Sequence, residues 1–181
     1  MKIRKAEERT ALRDRLWPGA KAWTGEDSKG WFRAPRTLPL LLMLLRSKKL
    51  SGRQDPSSVY LGLWARHFDS GIIEITNELE MAYEAGYTGG RALRTWQERM
   101  ALLQKHGFIK FEEAANQKHR YVLLVEPSEV IKVLVKKDLV DKQWHTTYDT
   151  RRIATKEATP EKAEKKVQKV VRMPGTAEKA K

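Results

Sequence analysis

Arg91, Arg94, Thr95, Glu98 and Lys105 fall on one side of a segment whose other side carries Leu93, Trp96, Met100 and Leu103, if residues advance by 100° each. Guanidinium forks can bind guanine O6 and N7 in pairs, a carboxylate can accept from cytosine N4, and a helix fits the major groove of B-DNA. Just upstream, Thr88-Gly89-Gly90 brings a hydroxyl and N–H groups to the positive end of that helix, a setting that suits a phosphate. Arg99 flanks the apolar row, where an internal ion pair competes with any outward contact. A second cluster, Lys110, Asn116, Gln117, Lys118, His119 and Arg120, lies in and beside a polar connection between Phe108–Phe111 and Tyr121–Val125. Cations placed there gain by releasing counterions from a phosphate backbone. A solvated helix face and an ordinary polar hairpin carry similar residues. The elements that hold the two clusters must therefore decide between these readings.

Those elements belong to a chain of 181 residues with a net charge of +13, 33% charged and 40% hydrophobic residues. That size suits one compact domain with appendages. The charge favours polyanionic partners, nucleic acid before an anionic membrane, without specifying a fold. Leu38–Leu45 is the longest apolar run and is too short to span a bilayer, and no stretch has the order of a signal peptide. The absence of cysteine removes disulfides, thiolate metal sites and cysteine nucleophiles, and fits a cytoplasmic protein.

Residues 1–16 mix both signs of charge and read as a solvated helix broken by Trp17-Pro18-Gly19. Trp23, Trp31 and Phe32 follow in a loop, where aromatics usually pack down on a neighbouring domain. Thr37–Lys49 reads as a helix with Pro39 in its first turn and Leu40, Leu41, Leu44 and Leu45 inward. Asp55 then caps a helix with Pro56 at its first position and Val59, Tyr60, Leu63, Trp64 and Phe68 on one side. Ile72–Ile75 is a short strand, and Thr76 or Asn77 caps a second helix through Leu79, Ala82, Tyr83 and Ala85 to Gly86. A helix over about Gly90–Lys105 follows, closed by Gly107, and then a β-hairpin with a long loop over Glu112–Arg120. A final helix from Ser128 to Lys142 or beyond carries Val130, Ile131, Leu134 and Val135. That stripe can pair with a second copy or cover the domain's own core. From Arg151 onward, ten basic residues stand against four acidic ones, so nearly half the net charge sits on a tail that reads as flexible.

The order helix, strand, helix, tight turn, helix, hairpin resembles the winged helix-turn-helix superfamily over Asp55–Glu126. Ala82-Tyr83-Glu84-Ala85-Gly86-Tyr87-Thr88 resembles its close helix crossing, and Leu102-Leu103 before Gly107-Phe108-Ile109 its junction between recognition helix and wing. The resemblance implies an α+β fold, mostly α, with a three-helix core, a hairpin wing and extra N- and C-terminal helices. The expected divisions are a charged arm and aromatic loop (1–34), a leading helix with the winged unit (35–126), a C-terminal helix (127–150) and a basic tail (151–181). The leader Gly30-Trp31-Phe32-Arg33-Ala34-Pro35-Arg36 is similar to those of small plasmid or mobile-element replication and partition regulators.

Taken together, these readings predict a sequence-specific binder of double-stranded DNA, a transcriptional regulator or plasmid maintenance factor, with the two residue clusters as its contacts. An RNA- or ribosome-associated protein and a protein-binding adaptor are the rival expectations. No catalytic group, cofactor, metal or small-molecule substrate is expected. His67, His106, His119 and His145 lack metal-ligand spacing. Gly86–Arg91 is glycine-rich but lacks the Lys-Ser/Thr of a phosphate loop.

Overall fold

The computed structural model describes residues 2–22, 30–67, 70–114, 117–155 and 157. The chain forms two compact units, Met1–Trp31 and Phe32–Lys181. In the first, α1 (Lys2–Leu16) ends where Trp17 N–H still bonds to Arg13 C=O at 2.8 Å, before Gly19 turns at φ 75°. Leu12, Leu16 and Trp17 are exposed, as a solvated helix requires. Trp31, and Phe32 at the start of the second unit, are 53% and 39% exposed, and Trp23 lies outside the described residues.

The second unit is α+β and mostly helical. Its elements are α2 (Leu38–Leu45), α3 (Lys48–Ser51), α4 (Ser57–Arg66), β1 (Ile72–Glu74), α5 (Glu78–Glu84), α6 (Ala92–Lys105), β2 (Ile109–Ala114), β3 (Gln117–Leu124), α7 (Pro127–Lys136) and α8 (Lys142–Thr155). The three strands form one antiparallel sheet in the order β1-β3-β2. Among the described residues no helix is long and apolar enough to cross a membrane.

Local chemistry accounts for the boundaries. Asp55 Oδ1 accepts from Ser57 N–H at 2.8 Å and starts α4, whose Val59, Tyr60, Leu63 and Trp64 are buried; Phe68 lies outside the described residues. Asn77, not Thr76, caps α5, accepting from Leu79 and Glu80 N–H at 3.1 and 3.2 Å. Gly86 and Gly107 close α5 and α6 in the left-handed conformation, at φ 87° and 82°. Each closure makes the paired backbone bonds that satisfy the last carbonyls, Gly86→Tyr83 with Tyr87→Ala82 and Gly107→Gln104 with Phe108→Leu103, all at 2.9–3.0 Å.

The structure departs from the sequence expectations in several places. The helix expected over 37–49 divides because Ser47 is extended (ψ 143°) and takes the capping position of α3. On α5, Leu79 and Tyr83 face outward, whereas Met81, Ala82 and Ala85 are buried; small residues allow α5 to cross close to its neighbours. Leu93 is partly exposed at the edge of the apolar row of α6. The C-terminal helix is two helices. Asp138 turns the chain at φ 54°, and Asp141 Oδ1 caps α8 by accepting from Gln143 and Trp144 N–H at 2.9 and 3.2 Å.

One apolar core unites the second unit. Trp96, Met100 and Leu103 of α6 share it with Tyr60 and Leu63 of α4, with Phe108 in the turn after α6, and with Ile109 and Val122 of the sheet. Val130, Ile131 and Leu134 of α7 are buried in that same core, so most of the stripe able to pair with a second copy covers its own domain instead. Trp144 and Tyr148 of α8 stack at 5.0 Å and extend the core to α2, where the indole Nε1 donates to Leu40 C=O at 3.0 Å. Beyond α8, the Glu157 carboxylate accepts from Arg36 N–H and the Thr37 hydroxyl at 2.5 and 2.8 Å. The start of α2 is thus held by a residue that the sequence reading assigned to the tail.

Candidate nucleic-acid interface

Burial of Ala92, Trp96, Met100 and Leu103 fixes the rotation of α6 and leaves Arg91, Arg94, Glu98 and Lys105 on its exposed side. Thr95 is half-buried at the margin of that side. Arg94 Nε donates to Glu98 Oε1 at 3.1 Å, and Glu98 Oε2 lies 3.7 Å from Arg99 Nη1. Exposed pairs of this i,i+4 kind contribute only about 0.3–0.5 kcal/mol, so the Arg94 guanidinium is oriented rather than sequestered. Arg99 is turned inward, with 14% of its side chain exposed. Thr88, Gly89 and Gly90 form the exposed turn before α6, and Tyr87 ties that turn to the start of α4 by donating to Asp55 C=O at 3.3 Å. Lys105 stands at the far end of α6, about 21 Å along the axis from Arg91 at 1.5 Å per residue.

Beside this face runs a groove of about 410 Å³ that no reading of single elements would find. Leu93 and Gln97 of α6 form one wall, the α5 start at Asn77–Leu79 a second, and Gln117 and Lys118 of β3 the third. At its base, Glu78 Oε2 accepts from Gln97 Nε2 at 2.7 Å, and Oε1 lies 2.9 Å from His119 Nδ1. One carboxylate therefore joins both helices to the hairpin. Burial by itself pushes the Glu78 carboxyl up, but the hydrogen bonds from Gln97 and His119 outweigh it and hold the group below the usual carboxylate value.

His119 corrects the expectation of a surface contact. Only 2% of it is exposed, with its ring edge-on between Trp96 at 5.3 Å and Phe111 at 4.5 Å. The cause is an irregularity in the hairpin. From Glu112↔Tyr121 to Ala114↔Gln117 the register advances two residues on β2 and four on β3. His119 and Val122, three apart, both face inward as a result, against the strict alternation of a regular strand. The strands also extend through most of the expected loop, and Asn116 lies outside the described residues.

Other members of the second cluster divide by what they touch. Arg120 pairs with Glu74 and donates to Gln117 at 3.4 Å, so its charge is used within the sheet. Gln117 Nε2 donates to Thr76 C=O at 3.2 Å. Lys118 is exposed, its ammonium 5.8 Å from the Phe111 ring centre, and Lys110 is exposed on β2. Arg91, Arg94, Lys110 and Lys118 thus remain outward-facing cations, and of these Lys118 lines the groove together with Leu93, Gln97 and Asn77, three residues absent from the two clusters expected from sequence. Gln97 carried a faint signal, since it lies next to the charged side of α6 in the helical projection. No protein-family model, curated protein or solved structure matches the chain.

Proposed function

We propose that this chain is a winged helix-turn-helix protein that binds double-stranded DNA in a sequence-specific way. Helices α5 and α6 form the helix-turn-helix, with α6 as the reading helix and β2–β3 as the wing. The observation that carries this reading is that burial of Trp96, Met100 and Leu103 leaves Arg91, Arg94 and Lys105 on the exposed side of α6, while Leu93 and Gln97 of the same helix line a groove with Glu78 and with Lys118 of the hairpin. The hairpin β2–β3, which follows α6 directly in the chain and pairs with β1 in one antiparallel sheet, supports it further as a wing. Trp64 and Trp96 are buried and so are not free to stack on unpaired bases. A role as transcriptional regulator or plasmid replication or partition factor accords with this chemistry.

Selection from random duplexes at near-physiological salt tests the proposal, and an enriched motif is the expected result. Failure to enrich any motif, with equal affinity for structured RNA, would overturn it. Within the selected site, Arg94→Ala should relax preference at one base position and weaken binding by about 1–3 kcal/mol, read by competition among single-position variants. Lys118→Ala should instead weaken all sequences alike and reduce the slope of log affinity against log salt by about one unit.

A further inference from the structure

The three-stranded sheet has one face turned into the core and one left open, and its register fixes which residues share each. Ile73, Val122 and Phe111 lie side by side on the inner face, so the rows on either side of them point outward. The first outward row is Ile72, Leu123 and Lys110, and the second is Glu74, Tyr121 and Glu112. Every residue of both rows is exposed. Ile72, Leu123 and Tyr121 therefore make one open apolar patch across β1 and β3, with charge on both flanks. Glu74 is held by Arg120, whereas Lys110 and Glu112 form no ion pair among the described residues.

We propose that this open face docks against the same face of a second copy of the chain, about a two-fold axis that crosses the strands. That axis lays the first row of one copy over the second row of the other, each strand over its like. Leu123 then meets Tyr121 of the partner subunit, and Lys110 meets Glu112 of the partner subunit, and symmetry makes each contact twice. A two-fold axis along the strands would instead set Glu74 against the partner's Glu112, two like charges. The pattern of charge thus fits a second copy, and fits it in one orientation. Sheets that pack face to face with their strands roughly aligned interdigitate in this way. Burial of Leu123 and Tyr121 supplies the attraction, while the Lys110–Glu112 contacts on β2 set the orientation. Three apolar side chains from each copy make a small interface, of the weak and transient class. The inference uses no residue of α6 or of the groove and does not depend on the nucleic-acid reading. It assigns Lys110, expected from sequence to meet DNA, to a protein contact.

Sedimentation equilibrium of the full chain without DNA, carried to high micromolar concentration, tests this. A reversible monomer–dimer equilibrium is expected, and Leu123→Asp should abolish it. Lys110→Glu and Glu112→Lys should each weaken the dimer about tenfold, because each turns two attractive contacts into two repulsive ones. An equimolar mixture of these two single variants should associate about as well as wild type, since each supplies the charge that the other lacks at both contacts. Both substitutions combined in one chain should do the same. The substituted side chains are exposed, so the urea midpoints of the charge variants should stay close to that of wild type. Recovery in the mixture would show in addition that both single variants are folded. The proposal is overturned if the wild-type chain stays monomeric, or if Leu123→Asp leaves association intact. It is equally overturned if either charge variant dimerises like wild type, or if the mixture associates no better than its components, since a different face would then hold the copies together.

Discussion

Trp96→Ala should cost about 3–5 kcal/mol of folding stability, a large share of the 5–15 kcal/mol, roughly, that separates most native domains from their unfolded chains. Trp96 is fully buried and is the largest such side chain in the domain. It supports α6 from beneath and packs edge-on against His119, so its removal empties space beneath both the helix and the hairpin. Its indole N–H has no partner among the described residues, which leaves packing as the whole of the loss. Urea unfolding should show a lower midpoint with an unchanged slope. Trp96→Phe should recover a good part of the difference by refilling the space. A cost below about 1 kcal/mol for the alanine variant would mean that α6 is not seated through this face.

The same residue shows how much of the architecture can be read from sequence. Trp96, Met100 and Leu103 repeat at helical spacing and are followed by Gly107, so the rotation of α6 and its end are both written locally. Arg91, Arg94 and Glu98 follow directly, because whatever opposes a buried row must face outward. The strands and the Asp55 cap are legible for similar reasons: short-range periodicity and side-chain capping need only a few neighbouring residues. Leu79 and Tyr83 are misleading because both sides of α5 carry apolar residues. Close helix crossing favours Met81, Ala82 and Ala85, and this preference depends on a partner helix that composition alone does not supply. Ser47 and Asp141 carry capping signals, yet neither shows which of several polar residues will break an apolar run.

Long-range polar contacts were the least legible. Glu157 caps α2 from 120 residues away in sequence, by its bond to Thr37, and no local pattern identifies it as other than a tail residue. The groove has the same character. Its walls come from segments around positions 77, 97 and 118, and its base depends on a strand irregularity that reverses the expected direction of His119. The sequence therefore indicates which charges the helix exposes, but it does not indicate what holds the hairpin beside them.

That second function falls to Glu78, and its replacement is expected to separate the fold of α6 from the placement of the hairpin. Glu78→Ala removes the acceptor for both Gln97 and His119. Gln97 is only half-buried and can turn to water, but His119 cannot, so the cost should be about 2–3 kcal/mol and arise chiefly from the stranded imidazole. Glu78→Gln keeps an acceptor for one partner and should fall between wild type and alanine. The pH dependence gives an independent check. Because the folded carboxyl is held below its ordinary value of 4.5, its contribution is complete above that pH and is lost as pH falls through the folded value. The stability gap between wild type and Glu78→Ala should accordingly be constant near neutrality and narrow on acidification below about 4.5. On DNA, the proposed division of labour predicts an asymmetric result at a temperature where the variant remains folded. Base preference set by Arg94 should persist, since Trp96 and Met100 still seat α6, while affinity falls across all sequences and the salt slope flattens as Lys118 loses its fixed position. If base preference were lost and the slope unchanged, the groove would be reading bases rather than bracing the hairpin.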